Sequence, residues 1–318
     1  MLWLWITLGV LAFLTAAVLI ICRICFKMAF YSPDRKPLGA DEYDVPMGED
    51  FVPYHEAMKE WARRARETPH EAVSITSFDG LTLRGRFYEY KPGAPIELMF
   101  PGYRGTAERD LSGGIFRCFE AGRSALLVDQ RSNGLSDGNV ITFGIREHRD
   151  CLAWVDFMVK KFGPDVKIIL TGISMGAATV LMAAGNPLPK NVIGVLADCG
   201  YNSPKEIIQQ VIKGMGLPPK LAYPFVWLAA RIYGGFNLEE TAPEKAMKTC
   251  TVPVLFIHGA ADDYVPAYMS EKNYKACAAS KKKLVLIPKA THALAYTTDP
   301  ETYLRELKDF FGKEAMAH

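Results

Sequence analysis

The sequence predicts an α/β fold: a mostly parallel sheet with helices on both faces. Three observations lead there. Short, nearly continuous apolar runs at residues 96–100, 124–129, 167–172, 192–198, 254–258 and 283–287 have the composition of strands buried on both sides. Helical patterns at 114–121, 146–162, 176–184, 267–278 and 300–311 alternate with them, which is the signature of parallel strands joined by crossover helices. Two β-rich runs, 73–78 and 81–90, precede them and are joined by Asp79-Gly80, a type I′ hairpin signal.

Composition sets the outer limits. The chain has 318 residues, 49% hydrophobic and 23% charged, which is ordinary for a globular protein. One large domain with an appendage fits better than three domains, and wholesale disorder, collagen and coiled coil are excluded. The net charge of +2 gives no basic excess for nucleic acid and no acidic tail. The seven cysteines are odd in number and widely spaced, so reduced thiols are expected rather than a disulfide framework or a zinc ribbon.

Residues 2–22 carry no charge, and a helix needs about 20 residues to cross a ~30 Å hydrocarbon layer. Trp3 and Trp5 stand at one end of this run, and Arg23, Lys27, Arg35 and Lys36 follow the other. Nothing basic precedes the apolar run except the amino terminus, and Ile21 is too large for a lipoprotein-type cut before Cys22. Residues 1–30 therefore read as an uncleaved transmembrane anchor and its flank, with membrane lipid as a partner. The positive flank puts a single-pass protein's body in the cytoplasm.

Residues 31–72 read as a linker followed by an amphipathic surface helix, with Met58, Trp61 and Ala65 on one face and Arg63, Arg64 and Arg66 beside them. Residues 73–318 form the main domain. Between Asp198 and Val254 the alternation stops, and Tyr201, Leu217, Tyr223, Phe225, Trp227 and Tyr233 crowd into helical stretches. This insertion, about 200–250, follows the carboxyl end of a strand, where open α/β sheets bind ligands. It reads as a cap that helps shape an apolar pocket.

The chemistry starts at Gly172-Ile173-Ser174-Met175-Gly176, a G-x-S-x-G pentapeptide between a strand and a helix. A sharp turn there lifts the Ser174 hydroxyl out of the backbone, and the Met175 N–H lies at a helix start, free to hold a developing oxyanion. Such a hydroxyl needs a base. Of the six histidines, His55 and His70 precede the sheet, His148 reads as solvated beside Arg146, Glu147, Arg149 and Asp150, and His318 is terminal. His258 ends a strand. His292 follows the last strand, at the same sheet edge as Ser174, and is the expected base. Asp262, Asp263 and Asp198 are each candidates for the acid that orients it.

Over roughly 73–312 the chain resembles the α/β-hydrolase fold serine hydrolases, with a helical cap insertion. It looks like the serine aminopeptidase-like/Bem46-like group of that fold. Pro101-Gly102-Tyr103-Arg104-Gly105 stands where the family carries its His-Gly-x oxyanion loop. The run 129–136 resembles its D-x-R-x-x-G-x-S loop, and Phe143-Gly144 with Glu147 and Asp150 resembles the start of its next helix. His258-Gly259-x-x-Asp262-x-x-Val265-Pro266 resembles its acid-bearing segment. The resemblance implies Ser174 as nucleophile, Asp262 as acid, His292 as base, and the N–H groups of Tyr103 and Met175 as oxyanion donors. It implies Asp129 and Arg131 as loop braces. Pro101 departs from the family's histidine. The expected activity is cleavage of a carboxylic ester or related acyl bond of a small-molecule substrate. A peptidase or acyltransferase would use the same residues, and a non-catalytic tethered scaffold is the contrasting reading. A dehalogenase would want a carboxylate at 174. No metal or organic cofactor is expected, because cysteines and histidines do not cluster.

Overall fold

The computed structural model describes residues 1–33, 39 and 41–312. Arg35, Lys36 and His318 lie outside the described residues. Eight strands form one sheet: β1 (Glu71–Thr76), β2 (Thr82–Tyr88), β3 (Ile96–Phe100), β4 (Ser124–Val128), β5 (Ile168–Ile173), β6 (Val192–Asp198), β7 (Val254–Gly259) and β8 (Lys282–Ile287). Their order is β1-β2-β4-β3-β5-β6-β7-β8. β2 pairs antiparallel with both β1 and β4, and the pairings from β4 through β8 are parallel.

The alternation of side chains explains the two covered faces. In β4, Leu126 and Val128 enter the core on one side, with Trp154, Val155 and Met158 of α4 (Glu147–Phe162) and with α5 (Met175–Ala184). Ala125 and Leu127 point the other way, to Leu111, Ile115 and Cys118 of α3 (Ala107–Glu120). Past β5 that second face is closed by Tyr303, Leu307, Phe310 and Phe311 of α11 (Pro300–Phe311), which packs beside the short α10 (Ala295–Thr298). Strands covered on both faces are apolar at nearly every position, which is why these runs lack alternation in the sequence; Glu97 of β3 is an exception, buried because Arg117 and Arg123 pair with it.

Three local expectations are corrected. The hairpin at Asp79-Gly80 is not a type I′ turn: Gly80 is left-handed at φ +88°, but Asp79 is not. Residues 77–81 form a longer loop, with Ser77 N donating to Leu81 O at 2.8 Å. Asp79 is held there by Arg131 and the Ser77 hydroxyl. Second, α3 starts at Ala107, well before residue 114. The Thr106 hydroxyl caps it by accepting from Arg109 N at 3.0 Å. Gly113 inside it permits close approach, since a Cβ there would lie 2.7 Å from the Trp61 ring. Third, His148 is half-buried rather than solvated, with Nδ1 3.0 Å from Gly144 O, and two acidic neighbours turn inward with it. Glu147 is buried because it accepts from Thr142 N, Thr142 Oγ1 and Gly144 N, and Asp150 because it pairs with Arg131.

α1 (Leu2–Ala29) is long and apolar enough to cross a membrane. Residues 1–16 are exposed along their whole length. From Ala17 onward one stripe turns inward. Cys22, Phe26 and Phe30 are buried against Phe143, Tyr223, Val226 and Phe236. The segment after α1 is tied to the domain by Ile141 N donating to Phe30 O and by a bridge from Tyr31 to Val140.

The insertion after β6 contains α6 (Pro204–Gly214), α7 (Pro219–Ala229), a π-helical turn at Ala230–Gly234 and α8 (Pro243–Met247). Its aromatic residues pack on α1 and on the 141–145 segment. α2 (His55–Glu67), preceded by a 3₁₀ turn at Glu49–Tyr54, lies on α3, where Arg66 pairs with Glu108 at 2.7 Å.

Candidate active site

Ser174 sits between β5 and α5 with φ +56° and ψ −116°, a conformation that L-residues rarely adopt. The flanking glycines make it possible. A Cβ on Gly172 would lie 2.2 Å from the Gly176 carbonyl carbon, and one on Gly176 would lie 2.1 Å from Phe100 O. The turn is pinned by Ser174 N donating to Asp198 O at 2.8 Å.

The three residues far apart in sequence meet here. Ser174 Oγ lies 2.9 Å from His292 Nε2, and His292 Nδ1 lies 2.7 Å from Asp262 Oδ2. An ionised carboxylate can only accept, so Nδ1 carries the proton and Nε2 is left to accept from the serine hydroxyl. The second oxygen of Asp262 accepts from Val265 N at 2.8 Å.

His258, to which the sequence assigns no role, stands behind Asp262. It is fully buried, with Nε2 2.7 Å from Val265 O and 3.2 Å from Asp262 Oδ2. Both neighbours are acceptors, so Nε2 carries a proton and faces the carboxylate. Nδ1 meets Ser270 Oγ at 2.6 Å. Burial alone would raise the Asp262 pKa, but the hydrogen bonds from His258 and His292 outweigh it and hold the carboxyl below its ordinary value.

The other acid candidates are placed elsewhere. Asp263 is exposed at the cavity mouth. Asp198 is buried and accepts from Tyr303 Oη at 3.0 Å, and burial pushes its pKa up to about 6.

The Met175 N–H heads α5 and has no intrahelical acceptor. Gly102 lies against Ser174, where an added Cβ would be in ordinary van der Waals contact with the serine Cβ at 3.5 Å, and Tyr103 lines the same cavity as Ser174. Gly102 N donates to Asp110 Oδ2 at 2.9 Å. The Pro101 carbonyl accepts from Gln130 Nε2 at 2.8 Å, and Gln130 in turn accepts from the Thr179 hydroxyl, so the loop is braced despite the proline. Asp129 accepts from Ala107 N and Leu135 N, and Arg131 bridges Asp79 and Asp150.

A cavity of about 610 Å³ opens at Ser174 and His292. Its apolar wall includes Met47, Phe51, Met58, Trp61, Met99 and Leu111. The expectation that the 200–250 insertion shapes this pocket is corrected: among the described residues, none of that insertion lines it. The aromatic residues of the insertion are occupied by α1 instead, and the wall comes from 46–51, which had read as linker, and from α2.

Cys199, Asp262 and His292 place possible metal-ligating atoms within 4.8 Å of one another. Both imidazole nitrogens are engaged by Ser174 and Asp262, and burial pushes the Cys199 thiol pKa far up, so the set fits a metal poorly.

No family model matches the chain. It is 28% identical to the protein YqkD of Bacillus subtilis over 192 residues, 60% of this chain and 63% of that protein, so the match spans less than two thirds of that relative's length. Among solved structures it is similar to the Pyrococcus furiosus esterase Pf2001, with a TM-score of 0.66, 20% identity, and coverage of 80% of this chain and 94% of that one. It is also similar to the α/β hydrolase GrgF from a Penicillium species, with a TM-score of 0.62, 20% identity, and coverage of 79% and 100%. With the antiparallel β2 inside an otherwise parallel order and the serine turn after β5, these likenesses show that the chain has the α/β-hydrolase fold.

Proposed function

We propose that the chain is a serine hydrolase that cleaves a carboxylic ester or related acyl bond through an acyl-enzyme on Ser174. The observation that carries this reading is the unbroken hydrogen-bond chain from Ser174 Oγ through His292 to Asp262. In the first half-reaction Ser174 Oγ attacks the carbonyl carbon while His292 Nε2 takes its proton. The Met175 and Tyr103 N–H groups hold the oxyanion, and Asp262 stabilises the imidazolium. His292 then returns the proton to the leaving oxygen as the tetrahedral adduct collapses. Water, activated by the same imidazole, releases the acid.

The cavity volume falls within the ~300–1,000 Å³ usual for small-molecule sites, and its methionine and aromatic wall suits an apolar acyl group. α1 serves in this reading as a single-pass anchor, with the catalytic domain on the side of Arg23 and Lys27, in the cytoplasm.

The test is hydrolysis of p-nitrophenyl esters by the full chain in detergent. Ser174→Ala is expected to lose roughly 10⁴-fold or more of kcat. Turnover in Ser174→Ala equal to that of the parent would refute the nucleophile.

A further inference from the structure

The bare part of α1 is too short to cross a bilayer unaided. Residues 2–16 are exposed at every position and span about 22 Å at 1.5 Å per residue. The hydrocarbon layer is ~30 Å thick. The missing length is about five residues, which carries the embedded segment to the neighbourhood of Ile21, just before Arg23, the first charge in the chain.

Those extra residues already have protein beside them. Ala17 and Val18 are half-buried, Val18 packs on the cluster that α1 shares with the insertion, and Tyr233 Oη donates to Leu19 O at 3.1 Å. Arg23 then stacks over the Tyr233 ring. Whatever depth Leu19 reaches, the π-helical turn that holds it reaches too.

The insertion that packs on α1 also exposes large apolar side chains. Leu221 is 71% exposed, Met215 51%, Leu217 49% and Ile232 46%. They lie on α7, on the α6–α7 connection and on the π turn, elements that pack along or next to α1. Lys213, Lys220 and Arg231 are exposed among them. Apolar residues interleaved with cations are the composition of a surface that lies in a headgroup layer. Of the insertion's four acidic residues, Glu206 pairs with Lys272 of α9 (Tyr268–Ala276), Glu239 with Lys205, and Glu244 accepts from Asn202 Nδ2, while Glu240 is exposed.

We propose that the insertion is a bilayer-docking element: Met215, Leu217, Leu221 and Ile232 enter the membrane that α1 crosses, and Lys213, Lys220 and Arg231 meet its phosphates. The inference rests on the anchor reading of α1. It also fixes where the catalytic loop stands. Tyr103 and Arg104 bond the Met28, Ala29 and Tyr31 carbonyls, about 10 Å of helix beyond the hydrocarbon edge, so the cavity mouth opens at the headgroup layer and takes its acyl substrate from there.

The experiment uses the full chain in liposomes of phosphatidylcholine and phosphatidylglycerol. Nitroxide labels are attached singly at Val10→Cys, Leu221→Cys, Ile232→Cys and Lys190→Cys, with the unsubstituted chain as blank. Collisions of each label with oxygen, which concentrates in lipid, and with a water-soluble nickel chelate are measured by power saturation. The expected result is oxygen contact with loss of chelate contact at 10, 221 and 232, and the reverse at 190, an exposed site at the opposite end of β6. A lipid signal at 10 with 221 and 232 as aqueous as 190 overturns the docking element alone. An aqueous signal at 10 overturns the anchor, and the docking element with it.

Discussion

The phenolic hydroxyl of Tyr103 donates to the carbonyl oxygen of Ala29 at 2.9 Å, tying the loop beside Ser174 to the last turn of α1. Arg104, left-handed at φ +54°, reinforces it through the Met28 and Tyr31 carbonyls. The end of the apolar helix is therefore part of the scaffold that positions the proposed oxyanion donor at Tyr103. Tyr103→Phe keeps the backbone N–H and removes the tie. The expected outcome is a fall in kcat of about 2–10-fold, the weight of one hydrogen bond, with KM little changed. Steady-state kinetics on a short p-nitrophenyl ester would show it.

Phe30 tests the same relation from the packing side. It is fully buried, edge-on to Phe143 at 5.8 Å and to Phe236 at 5.3 Å. Phe30→Ala is expected to cost about 3–5 kcal/mol, read as a lowered unfolding midpoint in micelles. An unchanged midpoint would mean that α1 is a detachable tether.

The assignment of the acid separates two buried carboxylates. Asp262→Asn would leave His292 Nδ1 facing an amide and favour the wrong tautomer, so kcat is expected to fall on the order of 10⁴-fold. Asp198→Asn should stay within about tenfold of the parent, because Asp198 meets Tyr303 and not His292. The opposite ranking would move the acid to the end of β6.

Asp198 also carries a pH signature. Its pKa rises from 3.8 to about 6 on folding, through burial. Between those values the folded chain holds a proton that the unfolded chain has released, so this group's contribution to stability falls as pH rises through the window and is flat above it. Asp198→Asn removes that loss. The variant's stability relative to the parent should increase from pH 4 to pH 6.5 by up to roughly 3 kcal/mol, and denaturant titrations at several pH values would read it.

The cavity wall predicts chain-length selectivity. Trp61 lines the cavity from α2 and is held against Gly113 of α3. Trp61→Ala opens that wall. A graded series of p-nitrophenyl acyl esters should show the optimum shift toward longer acyl groups, with little change on the shortest ester.

How much of this was legible in the sequence follows from where each signal originates. Strands β3 to β7 are buried on both faces, so their continuous apolar runs mark them directly. The serine turn was legible because its glycines are demanded by clashes with Phe100 and between one another. His292 followed from its place after the last strand, whereas Asp262 was one of three candidates and was singled out by the resemblance of residues 258–266 to the acid-bearing segment. The start of α3 was obscured by Gly113 and Gly114, which weaken helix propensity but exist for close approach to Trp61 and Met99. His148 looked solvated because its neighbours are charged and charge predicts exposure unless the partner is known; the partners of Glu147 and Asp150 lie at 142–144 and at Arg131. Aromatic crowding in 200–250 announced burial but not the surface it covers, since α1, apolar all round, shows no face of its own. The cavity wall at 46–51 was invisible because its composition is that of a linker.

The central claim is that Ser174 forms a covalent bond to its substrate, and labelling with a fluorophosphonate followed by tryptic mass mapping tests it most directly. The account predicts one adduct, on Ser174 within the peptide 168–190, abolished in Ser174→Ala and strongly slowed in His292→Ala. An adduct at another residue, or none while ester turnover proceeds, would contradict it.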